Sequence, residues 1–141
     1  MSNDSIQIQI NNSKNYPLIT FNIHTFVQYI LKLKSVSSGY FEISFISDSY
    51  IQKLNKTYLQ HDYPTDILCF NLSKNNIDAD IYISIETAKK NATHYNNSLN
   101  NEIKLLLVHG ILHTLGYTDY TSADKKIMEK EEQRLLDLCP E

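Results

Sequence analysis

Residues 101–115 read NEIKLLLVHGILHTL, and their apolar side chains fall on nearly every side of the helix that this pattern predicts. A helix apolar all round needs apolar partners all round, so it runs through the middle of a fold and the rest of the chain wraps it. Into that rod the sequence places His109 and His113. Four residues at ~100° each leave the second imidazole within about 40° of the first and one turn further on, so both can converge on one point. Burying two imidazoles without partners would cost about 1–3 kcal/mol each. Each therefore needs a hydrogen-bonding neighbour in the core or a shared ligand.

Gly116 follows the second histidine and Asp119 comes three residues later. A glycine at a helix end can adopt the left-handed conformation that turns the chain back at little steric cost. His-x3-His-x2-Gly-x2-Asp thus offers two ligands from a helix and a third from the turn, leaving a tetrahedral ion one open position, the mark of catalytic rather than structural zinc sites. Two imidazoles and a carboxylate suit one Zn2+ per chain best, while also admitting nickel, cobalt or iron. A zinc peptidase of the HExxH type carries its glutamate base directly after the first histidine, and here that position is Gly110. The spacing alone still admits a small metallopeptidase as a lesser alternative.

Around this helix the chain reads as an α+β domain spanning residues 1–141, a small mixed sheet of four strands packed with about five helices, with the metal site on the central buried helix. SIQIQI and GYFEISFIS alternate with period two, and DILCFNL and DIYISI read as two further strands. Residues 21–33 carry one broad apolar face; SDSYIQKLNKTYL is a helix capped by Ser47 or Asp48; ETAKKNATHYNN and residues 121–138 are helices as well. Thr121 with Asp124 is a variant capping box, and Met128 falls at an inward-facing, core-packing position of the last helix.

Composition narrows the function classes. No apolar run approaches the ~18 residues of a membrane span, and MSNDSIQIQI lacks the basic segment of a signal peptide, so the expected compartment is the cytoplasm and no membrane partner is expected. Cys69 and Cys139 are expected as reduced thiols. With a formal net charge of -3 and Arg134 the single arginine, strong sequence-independent binding to phosphates is not announced. Any RNA contact would be local.

Three segments resemble one family, the YbeY endoribonucleases or rRNA maturation factors. HGILHTLGY with Asp119 is similar to its His-Gly-x-Leu-His-x-x-Gly-Tyr signature and third ligand; LNKTYLQHDYPTDILCF (residues 54–70) and DIYIS (residues 80–84) match two further blocks in order and spacing. The resemblance implies a zinc-dependent, single-strand-specific endoribonuclease that matures the 3′ end of small-subunit ribosomal RNA and serves ribosome quality control. Its partners would be a ribosomal RNA precursor and the ribosome, with ribosomal proteins or assembly factors beside them. It implies His109, His113 and Asp119 as zinc ligands, with metal-activated water as attacking group.

Asp119 replaces the family's usual histidine and lowers the charge of the site by one; Leu59 stands where the family commonly has an arginine; Ala79 stands where a glycine commonly precedes the Asp-Ile strand. Leucine gives a phosphate no bidentate partner. His61 and Lys56 are candidate substrate contacts in its place, with Lys53, Lys89 and Lys90 as further cations that could substitute. Asp66 reads either as a turn residue bonding backbone amides or as the group that orients a ligand histidine, and Asp80 as structural. Leu59 and the net charge keep a second class in view, a metal-stabilised ribosome-assembly or RNA-binding factor with little catalysis of its own.

Overall fold

The computed structural model describes residues 5–12 and 19–139. The N-terminal reading that spoke against a leader drew partly on residues 1–4, which lie outside the described residues.

Four strands, β1 (Ile6–Asn11), β2 (Gly39–Ile46), β3 (Ile67–Asn71) and β4 (Asp78–Ser84), form one sheet in the order β1-β2-β4-β3. β1, β2 and β4 run parallel; β3 is antiparallel to β4 at the edge, with Cys69 opposite Ile81. The five helices are α1 (Ile23–Leu33), α2 (Asp48–Leu59), α3 (Ile85–His94), α4 (Leu99–Thr114) and α5 (Ser122–Leu138). The expected mixed four-stranded sheet with five helices is what the chain forms.

Period-two alternation sorts the strand residues. Phe41, Ile43, Phe45, Ala79, Ile81 and Ile83 are buried on one face, the face on which α4 packs. Phe70, on the opposite pleat from Cys69, meets Tyr58 of α2 edge to face at 5.6 Å, so α2 covers the other face. Helix α4 touches α1, α3, α5, β3 and β4. It is the central rod its sequence predicts, with Ile103, Leu107, Val108, Ile111 and Leu112 fully buried.

Helix ends differ from the sequence-based bounds by one to three residues, and side-chain caps decide each. Asn22, Ser47, Ser84, Ser98 and Thr121 each accept a hydrogen bond from the backbone N–H three residues on. Ser84 and Ser98 thereby start α3 at Ile85 and α4 at Leu99, earlier than their apolar patterns suggest. Helix α3 stops at His94 rather than running to Asn97, because Asn96 takes a left-handed φ of 54° and the Asn97 N–H returns to the Ala92 carbonyl. Of the two cap candidates for α2, Ser47 is the cap. Asp48 instead accepts from Ser84 and Thr87, both at 2.5 Å, and ties α2 to α3.

Gly110 shows why a glycine interrupts α4. A Cβ there would stand 3.0 Å from Ile67 Cδ1, 3.2 Å from Cys69 Sγ and 3.4 Å from Ile81 Cδ1. The residue after His109 faces β3 and β4, not the metal site, so the peptidase glutamate is absent from a position where the sheet leaves it no room. Cys69, in the same contact, is a free thiol whose pKa burial, and then the charge of Asp66, push up to about 12. Replacing Gly110 by valine should overpack this contact and cost about 1–3 kcal/mol, read as a lowered midpoint of thermal or urea unfolding.

Candidate metal centre

The site lies at the C-terminal end of α4. His109 and His113 project from neighbouring turns with ring centroids 5.1 Å apart and planes at 72°. Leu115 ends the helix, and Gly116 follows at φ 103°. The Gly116 N–H bonds the His113 carbonyl at 3.1 Å and the Tyr117 N–H bonds that of Leu112 at 3.0 Å, the paired bonds of a Schellman turn. That reversal brings Asp119 back over the helix end. Its Oδ1 stands 4.0 Å from His113 Nε2.

The returning segment is held at several points. Tyr117 accepts a hydrogen bond from Lys34 at 2.7 Å, and Lys34 pairs with Glu131 of α5 at 2.5 Å. Glu131 also takes two bonds from Arg134, at 2.6 and 2.8 Å. One residue before Asp119, the Thr118 hydroxyl donates to Asp124 at 3.1 Å. Asp124 thus serves the loop, while its own N–H is capped by Thr121.

His109, His113 and Asp119 bring one ligand atom each to within 4.8 Å of one another. Donors on a tetrahedral zinc at about 2.0–2.2 Å stand roughly 3.5 Å apart. The gap is roughly 1 Å, and Asp119, its side chain 47% exposed, has room to turn toward the imidazoles. The donor set and its spacing fit such an ion.

Glu132, a residue the sequence reading missed, completes the arrangement. It is 7% exposed, and its Oε2 lies 2.5 Å from His109 Nδ1. With Nδ1–H donated to that carboxylate, the lone pair of Nε2 is left for a metal. The bond to Glu132 raises the pKa of His109 despite burial, whereas burial and then the neighbouring charge of His109 lower that of His113. Twenty-three residues separate Glu132 from His109, so no local spacing signals the pair; the one available sign was a glutamate on the face of α5 between Met128 and Leu135.

Other candidates fall elsewhere. Asp66 accepts from Asn91 at 3.1 Å and from the Thr65 hydroxyl at 3.5 Å, while the carboxylate on His109 is that of Glu132. Asp66 does share with His109 and Glu132 the lining of an open cleft of about 520 Å³. His61 stacks on Tyr63 at 5.3 Å, and exposed Lys56 lies 3.9 Å from exposed Asp62; neither lines the cleft. Lys90 is engaged with Asp48 at 3.4 Å. Leu59 is the last, exposed residue of α2.

A family model described as Endoribonuclease YbeY matches residues 5–139. The chain belongs to the YbeY family. Among curated relatives of that name, the protein of Parabacteroides distasonis is 41% identical over 98 residues, 69% of either chain. That of Cytophaga hutchinsonii is 37% identical over 118 residues, 82% of either chain, and that of Flavobacterium psychrophilum 37% over 127 residues, covering 85% of this chain and 91% of the relative. The solution structure of a Thermotoga maritima protein aligns at a TM-score of 0.67 with 24% identity, covering 94% of this chain and 87% of the other, a likeness of fold. The YbeY family thus covers all the elements from β1 to α5.

Glu132→Ala should lower affinity for Zn2+ about 10–100-fold, as losing an outer partner of a ligand histidine does, while Glu132→Gln, which keeps an acceptor oxygen, should lose less; competition with a chromophoric chelator measures both. A second outcome concerns Glu131. Arg134's hydrogen bond, opposed by burial and reinforced by Lys34, holds its carboxyl down from 4.5 to about 2. Folded protein therefore binds this proton less readily than unfolded chain, so the stabilisation is present above about pH 4.5 and is lost as pH falls toward about 2. Glu131→Gln should be destabilised by ~1–2 kcal/mol at pH 7 after allowance for solvent screening, with the difference from wild type shrinking across that window in urea melts.

Proposed function

We propose that this YbeY chain is a zinc-dependent, single-strand-specific endoribonuclease of the cytoplasm that acts on ribosomal RNA precursors, in 3′-end maturation of small-subunit RNA and in ribosome quality control. The observation that carries the reading is the convergence of His109, His113 and Asp119 beside an open cleft. An endoribonuclease has to bring a phosphodiester and a water together at a point of positive charge. Zinc, when bound, would supply Lewis-acid polarisation of a phosphate oxygen and acidify water.

The protein's own part is positional. Glu132 holds His109 in one tautomer, the Schellman turn at Gly116 delivers Asp119, and the Lys34–Glu131 pair steadies Tyr117 between them. Asp119 in place of a histidine leaves the ion's net charge one unit lower, which moderates both its pull on phosphate and its acidification of water. The second reading, an assembly or RNA-binding factor with little catalysis, draws on the cleft itself. Neither Lys nor Arg lines it, and Leu59 offers no guanidinium.

Purified full-length protein with a labelled single-stranded RNA separates the two. Cleavage should fall at least about a hundredfold on chelation, the loss expected when several kcal/mol of charge stabilisation go. It should return on adding Zn2+ and stay lost in His113→Ala. Tight RNA binding with no metal-dependent turnover would instead establish the assembly-factor reading.

A further inference from the structure

The cleft beside His109 has walls of opposed character. Ile67, Leu105 and Leu106 give it apolar surface, while Asp66, Asn91 and Glu102 present acceptors and an amide. Glu102 is a carboxylate 5% exposed on an otherwise apolar helix, and Asn91 donates to Asp66 at 3.1 Å and also bonds Glu102. At the rim stands Tyr95, 70% exposed, its ring held edge-on to His94 at 4.8 Å. Asp66 and Glu102, with Glu132 beyond them on His109, make a space that repels a phosphate. They accept N–H donors, and burial together with the charge of Asp66 raises the pKa of Glu102, an imbalance that an arriving donor relieves.

We propose that this cleft is a nucleobase pocket selective for guanine, in which Asp66 and Glu102 accept the Watson–Crick-edge N–H groups of one unstacked base and Tyr95 covers its ring. The proposal rests on the endoribonuclease reading for its place beside the metal centre, and on the cleft alone for its chemistry. Unpaired bases are recognised by stacking on aromatic side chains and by hydrogen bonds to their edges. Guanine presents two adjacent donors, N1–H and the 2-amino group, which suit a carboxylate bidentately; adenine and cytosine set an acceptor beside their amino group, and uracil offers one N–H. Charge thereby sorts the nucleotide, with the base drawn toward Asp66 and Glu102 and the phosphodiester toward the ion that His109, His113 and Asp119 would hold. A volume of about 520 Å³ and an apolar wall suit a planar ring better than the narrow stem of a lysine or arginine.

The test is titration of full-length protein with GMP, IMP, AMP, CMP and UMP, followed by calorimetry and by amide shifts. GMP should bind at least about fivefold tighter than IMP, which lacks the 2-amino group, and than UMP, the discrimination that one bidentate pair gives. Glu102→Gln should erase the difference between GMP and IMP at unchanged zinc content. Tyr95→Ala, at an exposed position that leaves the fold intact, should weaken all five nucleotides alike. Equal binding of GMP and UMP, shifts confined to residues away from Asn91 and Tyr95, or stronger binding of arginine methyl ester than of GMP would each overturn the pocket, the last in favour of a basic protein segment. RNA cleavage without these preferences would leave the endoribonuclease reading standing and the pocket refuted. Guanine-selective binding without cleavage would do the reverse.

Discussion

Everything in this protein is arranged around the burial of α4. A helix apolar on all sides cannot be satisfied by a sheet alone, and β3, β4, α1, α3 and α5 each cover part of it. Gly110 lets the rod come close to Ile67, Cys69 and Ile81. That contact fixes the rotation of the helix about its axis. With Gly110 against the sheet, His109 is turned to reach Glu132 of α5 and His113 to meet the returning loop at Asp119. The position of the candidate metal centre is therefore a consequence of packing at a residue outside it.

The same geometry sets the electrostatics. Two imidazoles 5.1 Å apart cannot both be protonated without cost, and the protein separates them. His109 has the Glu132 carboxylate on its inner nitrogen, which raises its pKa, while His113 is left with burial and the neighbouring charge, which lower it. A divalent ion held by both rings would remove the need for either to carry a proton. Glu132 would then balance part of the added charge. A buried glutamate on α5 is otherwise a poor choice, since a carboxylate with no partner there would carry a heavy desolvation cost.

What the sequence made legible was local. The alternation of Phe41, Ile43 and Phe45 with Tyr40, Glu42 and Ser44 marks a strand face, and the spacing of His109, His113, Gly116 and Asp119 lies within one helix end and its turn, where geometry is set by 3.6 residues per turn and one left-handed glycine. Element bounds were less legible because they turn on caps such as Ser84 and Ser98, whose hydroxyls outweigh the start of an apolar pattern. Glu132 and the Lys34–Glu131 pair were not legible at all. They join residues 23 and 97 positions apart; on α5 alone Glu131 reads as one more charge on a solvated face, and Glu132, on the inward face with Met128 and Leu135, does not name its partner. Asp66 shows the middle case: its place near the site follows from its motif, but its partner, Asn91, comes from α3.

Leu59 and Asp119, two of the three departures from the family pattern, bear on one quantity, the positive charge available to a phosphate. Leu59 leaves no cation at the last position of α2, and Asp119 would take a unit of charge from an ion held beside it. The cleft beside His109 brings further carboxylates instead of compensation, through Asp66 and Glu102. An enzyme built this way cannot rely on general attraction to the RNA backbone, which the formal net charge of -3 also opposes. Its hold on RNA has to come from contacts that tolerate negative charge on the protein, and base edges with N–H donors are the part of RNA that offers them. A weak general field with specific base contacts would give less binding to arbitrary RNA and leave selection to the nucleotide placed beside His109.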